Sequence, residues 1–180
     1  NFCFQFSFMK KCLLALLFFV PVTADLFAQA QYEVSQDEKH PEIKVLRGLI
    51  DKDLIKNDTA FKWYSSSQGY YKPDTATLGS FERAKGKYQF VVFAGTWCED
   101  SQFIVPKFFK LQEQSGTPDE AITMFGVNRA KTSIGNIASA FNVTLVPTII
   151  VMKDGKEIGR VVEYGKTGKW DKELAAILNQ

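Results

Sequence analysis

The hydrophobic pattern of the chain changes period repeatedly after residue 86, and each change predicts one secondary-structure element. The apolar run Phe90–Phe93, with its aromatic and β-branched side chains, is typical of a strand buried on both faces and predicts a strand at Tyr88–Phe93. Apolar residues at helical spacing follow Cys98 and end before Gly116. Beyond that point the pattern predicts strands at 122–127, 148–152 and 157–162 and helices at 134–141 and 170–178. The resulting order, β-α-β-α-β-β-α, predicts an α/β domain.

The segment before this domain has a less regular pattern. Residues 31–39 are polar and lack periodicity, so we expect them to be disordered. Apolar residues recur at helical spacing within Glu42–Asn57, which predicts a helix. Pro73-Asp74 is typical of a helix start and predicts a second helix that ends near Lys85.

An aromatic cluster, Phe61–Tyr71, lies between these two predicted helices. We interpret it as the surface that anchors residues 31–73, a helical N-terminal extension, on a domain of residues 74–180. A surface that binds other proteins is the alternative interpretation, because exposed aromatic patches often mark interaction sites.

The N-terminal residues have the pattern of a secretory signal peptide. Met9-Lys10-Lys11 supplies a start and a positive region, Cys12–Val22 is apolar, and Ala28-Gln29-Ala30 has the small residues that a signal peptidase recognises. The apolar run is too short for a bilayer span, which needs ~20 residues, and a buried hairpin helix is the alternative. We expect residues 1–8 to precede the natural start. The mature chain is expected to begin near Gln31, in the periplasm or the medium, without a stable membrane anchor.

Composition and cysteine usage narrow the function classes. The 180 residues are 46% hydrophobic and 14% aromatic, which is ample for a core, and the formal net charge of +2 is too small to indicate nucleic-acid binding. Removal of residues 1–30 takes away Cys3 and Cys12 and leaves Cys98, so no internal disulfide can form. His40 is the only histidine, Cys98 is far from it in sequence and there is no second cluster of ligand residues, so we expect no metal and no cofactor.

Cys98 stands where a buried strand is predicted to end and a helix to begin. The free N–H groups and the positive end of the helix dipole favour a thiolate at this place. Glu99 and Asp100 are negative neighbours that disfavour it, and the sequence leaves this balance open. We interpret Cys98 as a reactive thiol, with a buried structural cysteine as the alternative.

Two motifs carry a resemblance to a known family. Trp97-Cys98-Glu99-Asp100-Ser101 resembles the Trp-Cys-x-x-Cys site of thioredoxin-like proteins, with Ser101 in the place of the second cysteine. Val146-Pro147-Thr148 precedes an apolar run and resembles the thioredoxin cis-proline, and Gly165 also matches the family pattern. The resemblance spans roughly residues 80–180 and implies a thioredoxin fold, with a central mixed sheet flanked by helices. With the signal peptide, it indicates an exported bacterial protein of this superfamily.

The resemblance implies roles for five residues. Cys98 and Ser101 would carry the chemistry, whereas Trp97, Val146 and Pro147 would bind a client whose extended backbone pairs with the residue before the proline. Ser101 lies one turn after Cys98, where its hydroxyl either bonds the sulfur or is an ordinary first-turn polar group. Trp97 is expected at the exposed rim beside the sulfur, with core packing as the alternative.

The chain departs from redox-active thioredoxins at two positions. Those proteins carry a buried acidic residue six positions before the first cysteine, where this chain has Val92. Ser101 removes the resolving thiol. Both changes affect the two-thiol cycle by which such proteins reduce a client disulfide.

The sequence therefore predicts an exported thioredoxin-like protein that exchanges disulfides through Cys98 alone. The expected partners are disulfide-containing or glutathionylated envelope proteins and an external thiol reductant, which would place the protein in redox homeostasis. The alternative is a non-catalytic module that keeps the peptide groove around Trp97 and Pro147 and retains clients without turnover.

Overall fold

The computed structural model describes residues 31–180, and the predicted signal peptide lies outside the described residues. In this part of the chain the strands are β1 (Tyr32–Gln36), β2 (Lys44–Ile50), β3 (Gln89–Ala94), β4 (Ile122–Gly126), β5 (Thr148–Lys153) and β6 (Lys156–Val162). The α-helices are α1 (Lys52–Lys56), α2 (Trp63–Gly69), α3 (Thr75–Ala84), α4 (Glu99–Ser115), α5 (Ile137–Ala140) and α6 (Trp170–Leu178). From α3 onward, the predicted elements are confirmed in kind and order.

The strands form one mixed sheet in the order β1-β2-β4-β3-β5-β6. β3 and β4 are parallel and are connected through the long helix α4, whereas the other neighbouring pairs are antiparallel. β5 and β6 are joined by a tight turn in which Asp154 and Gly155 have positive φ angles of 50° and 75°. Because β3 lies in the interior of the sheet, its end is a rigid support for the loop that follows.

Helices cover both faces of the sheet, because successive side chains of β3 point to opposite cores. Phe90, Val92 and Ala94 belong to the larger core, with buried residues of α2, α3, α4 and α6, whereas Phe93 belongs to the smaller core beside α5. In the larger core the ring of Phe90 stacks on that of Phe81, with 5.6 Å between centroids. Full burial of such a side chain contributes ~1.5–3 kcal/mol, so the β3 strand is a main source of stability.

The predicted helix at Glu42–Asn57 is wrong, because β2 and the short helix α1 occupy this segment. β2 pairs with β1 on one side and with β4 on the other, and its Leu46 and Ile50 are buried. A strand with apolar residues on both faces lacks the alternation that would distinguish it from a helix. Asp51 then caps α1 by accepting a hydrogen bond from the Leu54 N–H over 2.8 Å. The apparent helical spacing therefore combined apolar residues of β2 with apolar residues of α1.

The disorder expected for residues 31–39 is also wrong, because β1 forms there. β1 is an edge strand whose residues are mostly exposed, and backbone pairing with β2 holds it in place. The strands approach closely: a Cβ on Gly48 would lie 2.5 Å from the Gln31 carbonyl oxygen, and the φ of Gly48 is +119°. The N-terminal extension is therefore not only helical, since it adds two strands to the sheet.

The aromatic cluster anchors the extension, as the first interpretation predicted. Phe61 and Tyr64 are buried in the larger core, and Trp63 and Tyr71 pack against it. The Tyr71 hydroxyl also donates a hydrogen bond over 2.9 Å to a carboxylate at the start of α6. Tyr70 is the exception, with 90% of its surface exposed.

Two features of residues 31–180 concern membranes and metal ions. None of the helices in this range is long and apolar enough to cross a membrane. Over the same range, no group of three or more histidine, cysteine or acidic side chains is arranged so that it could bind a metal ion.

Candidate active site at the start of helix α4

Cys98 is the N-cap residue of α4, at the junction that the hydrophobic pattern predicted. β3 ends at Ala94, and a turn follows in which the Cys98 N–H donates to the Gly95 carbonyl over 2.9 Å. The Cys98 carbonyl accepts the Gln102 N–H at 2.9 Å, and Cys98 itself is extended, with φ −98° and ψ 121°. The half-buried cysteine therefore lies at the positive end of the α4 dipole.

The Cys98 thiol contacts the loop before β5. The Val146–Pro147 peptide bond is cis, as the resemblance implied. Sγ donates a hydrogen bond to the Val146 carbonyl oxygen over 3.2 Å. This bond requires the protonated sulfur, because a thiolate has no proton to donate. Folding thus brings Cys98, Val146 and Pro147 together.

Ser101 is buried behind the sulfur, with 2% of its surface exposed. Its Oγ accepts a hydrogen bond from the Gly95 N–H over 3.1 Å and so holds the loop between β3 and α4. Among residues 31–180, no hydrogen bond joins the side chains of Ser101 and Cys98. Of the two interpretations of Ser101, this geometry favours an ordinary polar residue of the first helical turn over a hydroxyl that bonds the sulfur.

Trp97 lies between the rim of the site and the smaller core. Its ring is half-buried against that core, and its indole N–H donates to the Val127 carbonyl over 2.8 Å. The guanidinium carbon of Arg129 is 4.7 Å from the ring centre, and the Lys131 ammonium is 5.3 Å from it. A Cβ on Gly95 would lie only 2.8 Å from the indole, so glycine at this position permits the packing.

An ion pair from the extension holds Arg129 in this position. Arg129 Nε donates to Asp37 Oδ2 over 2.7 Å, and Asp37 Oδ1 accepts the N–H groups of Lys39 and His40 over 3.0 and 2.9 Å. The bond from Arg129, followed by the two backbone bonds, lowers the pKa of Asp37. Asp37 is therefore ionised at neutral pH, and the loop between β1 and β2 fixes a positive charge over Trp97.

Apolar side chains surround the opening of the site. Leu145 is exposed next to Val146, and the exposed rings of Phe103 and Tyr164 lie 5.8 Å apart. Partial desolvation, followed by the nearby Asp100 carboxylate, raises the pKa of Tyr164. The rim therefore combines apolar contact area on one side of Cys98 with the cations beside Trp97 on the other.

Comparison with known proteins identifies the family. The thioredoxin family model matches residues 79–178, which is more than half of the chain. This chain belongs to the thioredoxin family. Thioredoxin-1 of Saccharomyces cerevisiae is 31% identical over 88 residues, a match that covers 48% of this chain and 80% of that relative. Membership supports a thiol–disulfide oxidoreductase-type function for the chain.

Two further comparisons agree on the fold. The mitochondrial thioredoxin O1 of Arabidopsis thaliana is 36% identical over 70 residues, a match that covers 39% of this chain and 34% of that relative. A crystal structure of a Pseudomonas aeruginosa protein of unknown function superposes with a TM-score of 0.52 at 15% identity, over 72% of this chain and 91% of that one. Because its identity is so low, the second match bears on the fold alone. The thioredoxin fold predicted from the sequence is confirmed.

The thioredoxin domain lacks both groups that the sequence comparison marked as missing. Val92 is fully buried in the larger core, and its partners across the sheet are Met124 and Ile149. No carboxylate therefore stands at this position behind Cys98. Within residues 31–180 Cys98 is the only cysteine, so the described part of the chain holds no resolving thiol.

Sequence reasoning missed the residues that connect the extension to the site. Thr96 Oγ1 donates to the Lys44 carbonyl over 2.9 Å and accepts the Leu46 N–H over 3.2 Å, which ties the active-site loop to β2. The Asp37–Arg129 pair makes a second connection. No motif relates these residues, which are 50 or more positions apart in sequence. Only the placement of β1 and β2 in the sheet brings them together.

Proposed function

We propose that the protein catalyses thiol–disulfide exchange through Cys98 alone. The Cys98 thiolate attacks one sulfur of a client disulfide, forms a mixed disulfide with it, and expels the other sulfur as a thiolate. An external thiol, such as glutathione or a thiol of another oxidoreductase, then attacks the mixed disulfide as its thiolate. That step joins the external sulfur to the sulfur that Cys98 had taken, which belongs to the client or, for a glutathionylated client, to glutathione, and it returns Cys98 as a thiolate, so no second cysteine of the chain is needed.

The observation that carries this proposal is the position of the sulfur. Cys98 lies at the N-terminus of a helix, half-buried, and within hydrogen-bond distance of the residue before a cis-proline. The helix dipole at such a place stabilises a negative charge by ~0.3–1 kcal/mol. The exposed apolar rim beside it offers contact area to a client.

Binding of the client would itself prepare the sulfur. An extended client backbone that donates an N–H to the Val146 carbonyl would compete with the Cys98 thiol for that acceptor. The thiol would lose its bond to the carbonyl, and the sulfur would be free to face the client. In this scheme Ser101 acts indirectly, because it holds the loop through Gly95.

The clients that we propose are disulfide-containing or glutathionylated envelope proteins. The basis is the signal-peptide pattern, with its positive start at Met9-Lys10-Lys11 and small residues at Ala28-Gln29-Ala30. N-terminal sequencing of protein recovered from the periplasm or the medium should find a chain that begins near Gln31. An uncleaved chain in the cytoplasm or the membrane fraction would contradict export.

The exchange reaction is tested with a peptide joined to glutathione through a disulfide, and with reduced glutathione as the external thiol. The chain carries Cys3→Ser and Cys12→Ser, so that Cys98 is its only thiol. We expect peptide release at least ~10-fold faster than with an ordinary exposed thiol, together with a glutathione adduct on Cys98 by mass spectrometry. Cys98→Ser should reduce the rate to that of the reagents.

The matched control moves the only thiol to an exposed surface position. Ser65→Cys in the Cys98→Ser background puts one cysteine on the exposed surface of α2. If this variant releases the peptide as fast as the chain with Cys98, the site contributes nothing to the exchange, and the proposal fails.

A second candidate function is a non-catalytic module that binds clients. The observation in its favour is that the Cys98 proton is held by the Val146 carbonyl while neither Ser101 nor Val92 supplies a thiol or a carboxyl group. This function predicts that the same peptide binds to the Cys98→Ser variant with unchanged affinity and that no chain accelerates its release.

A further inference from the structure

A pocket lies on the flank of the active-site helix and shares Phe103 with the apolar rim of the site described above. It is formed between α2 and the first turns of α4 and has a volume of about 380 Å³. Trp63, Tyr70 and Phe103 supply aromatic walls, and Lys107 and Glu99 supply the charged groups of its lining. Pockets that hold small molecules have volumes of ~300–1,000 Å³ and mostly apolar walls with a few polar groups.

Lys107 is the unusual residue in this pocket. Only 6% of its surface is exposed, yet among residues 31–180 its ammonium group forms no hydrogen bond and no ion pair. The group lies over the face of the Phe103 ring. Lys110, one turn away on the same helix, donates instead to the Gln68 carbonyl over 2.9 Å. Among the described residues only the Tyr64 hydroxyl is both fully buried and unpartnered, so the Lys107 ammonium keeps some contact with solvent. A largely desolvated cation without a partner is costly and makes the pocket complementary to an anion.

The charge state of Lys107 agrees with this complementarity. Burial alone lowers the pKa of Lys107 to about 8, and no carboxylate compensates for it. At neutral pH most Lys107 side chains are still protonated, and a bound anion would stabilise that form further. The buried cation is therefore available for a ligand at neutral pH and is lost as the pH rises through 8.

We propose that this pocket binds a small organic monocarboxylate with a flat apolar body. The carboxylate would pair with Lys107, and the apolar body would stack against Trp63 and Phe103, with the exposed Tyr70 at the edge of the pocket. Glu99 lines the same pocket and repels additional negative charge, which selects a single carboxylate over phosphate. The binding does not use Cys98, so its test is independent of the exchange proposed above.

Phenylacetate is the probe for the test, with the full chain and amide chemical shifts as the readout. We expect saturable shifts at residues of the pocket, with a Kd on the order of 1 mM or below at about pH 6.5. Phenylacetamide has the same shape without the charge and should bind at least ~10-fold more weakly, as should inorganic phosphate. At about pH 9.5 the affinity for phenylacetate should also fall by ~10-fold or more, because neutral Lys107 cannot form the ion pair.

Two variants test whether binding depends on Lys107 itself or on the positive charge of the helix in general. Lys107→Met keeps the length and the apolar stem and should weaken phenylacetate binding by ~10-fold or more. Lys110→Met, the matched control on the same helix, should leave it unchanged. Equal binding of phenylacetate and phenylacetamide, equal affinity at both pH values, or no shifts at the pocket would each overturn the proposal. The pH comparison uses the unaltered chain, so the proposal stays falsifiable even if Lys107→Met does not fold.

Discussion

Ser101→Cys is expected to form an internal disulfide with Cys98 and to turn the site into a two-thiol site. Residues three apart at the start of a helix are neighbours on one face of the helix, where their Cα atoms lie within the ~7 Å that a disulfide allows. Ser101 is buried directly behind the loop that leads to Cys98. The variant loses a good acceptor for the Gly95 N–H, which should lower the free energy of unfolding by ~1–3 kcal/mol before the disulfide forms.

The measurement is the reduction of insulin with dithiothreitol as the electron source, in the background without Cys3 and Cys12. The natural site should stay near the background rate, because the insulin thiolate that Cys98 expels remains beside the mixed disulfide and reverses the attack before dithiothreitol resolves it, and Ser101→Cys should exceed that rate. We expect partial activity, because Val92 offers no proton acceptor to the second step. Val92→Asp should raise the rate further, since a positioned acid–base group contributes ~10²–10⁴-fold. Burial of its carboxyl group should destabilise the fold by at least ~1–3 kcal/mol.

Ser115→Cys is the matched control, because Ser115 is buried at the far end of the same helix and its sulfur cannot reach Cys98. It should leave insulin reduction at the background rate. If Ser101→Cys forms the disulfide but never turns over, even with Val92→Asp, the non-catalytic module becomes the better account. If no internal disulfide forms, the placement of Cys98 and Ser101 at the start of α4 is wrong.

Thr96→Val is expected to have the largest effect on stability among the changes near the site. The side chain keeps its shape but loses its bonds to the Lys44 carbonyl and the Leu46 N–H. Each buried polar group left without a partner costs ~1–3 kcal/mol, so we expect a loss of roughly 2–4 kcal/mol in the free energy of unfolding. Urea denaturation followed by tryptophan fluorescence measures this loss.

Thr96→Ser is the control for this experiment, since it keeps the hydroxyl and removes only a methyl group. It should lose less than half as much stability as Thr96→Val. The looser loop in Thr96→Val should also make Cys98 react faster with iodoacetamide under native conditions. Equal destabilisation by the two variants would mean that packing, and not the tie between β2 and the active-site loop, explains the role of Thr96.

The sequence by itself was enough to predict the central strand of the sheet and the helix that follows it. The run at Tyr88–Phe93 predicted an interior strand, and the helical spacing after Cys98 predicted the helix that it caps. Both elements are specified by their own residues: buried strands need continuous apolar runs, and amphipathic helices need apolar residues every three or four positions. The cis bond before Pro147 was implied by the resemblance of Val146-Pro147-Thr148 to the thioredoxin cis-proline. Patterns of this kind can be interpreted without knowledge of the rest of the fold.

Only the tertiary structure shows which elements the N-terminal extension forms and which residues of the site it contacts. β1 is polar and exposed, and β2 is apolar on both faces, so neither has the alternation that identifies a strand by sequence. Their identity comes from backbone pairing, of β1 with β2 and of β2 with the distant strand β4, and the pattern of side chains does not record that pairing. For the same reason, the sequence did not predict the contacts that depend on this strand pairing, such as the bonds of Thr96 to β2 and the pairing of Asp37 with Arg129. Whether Lys107 is solvated or buried likewise depends on how α2 packs on α4, which local spacing does not encode.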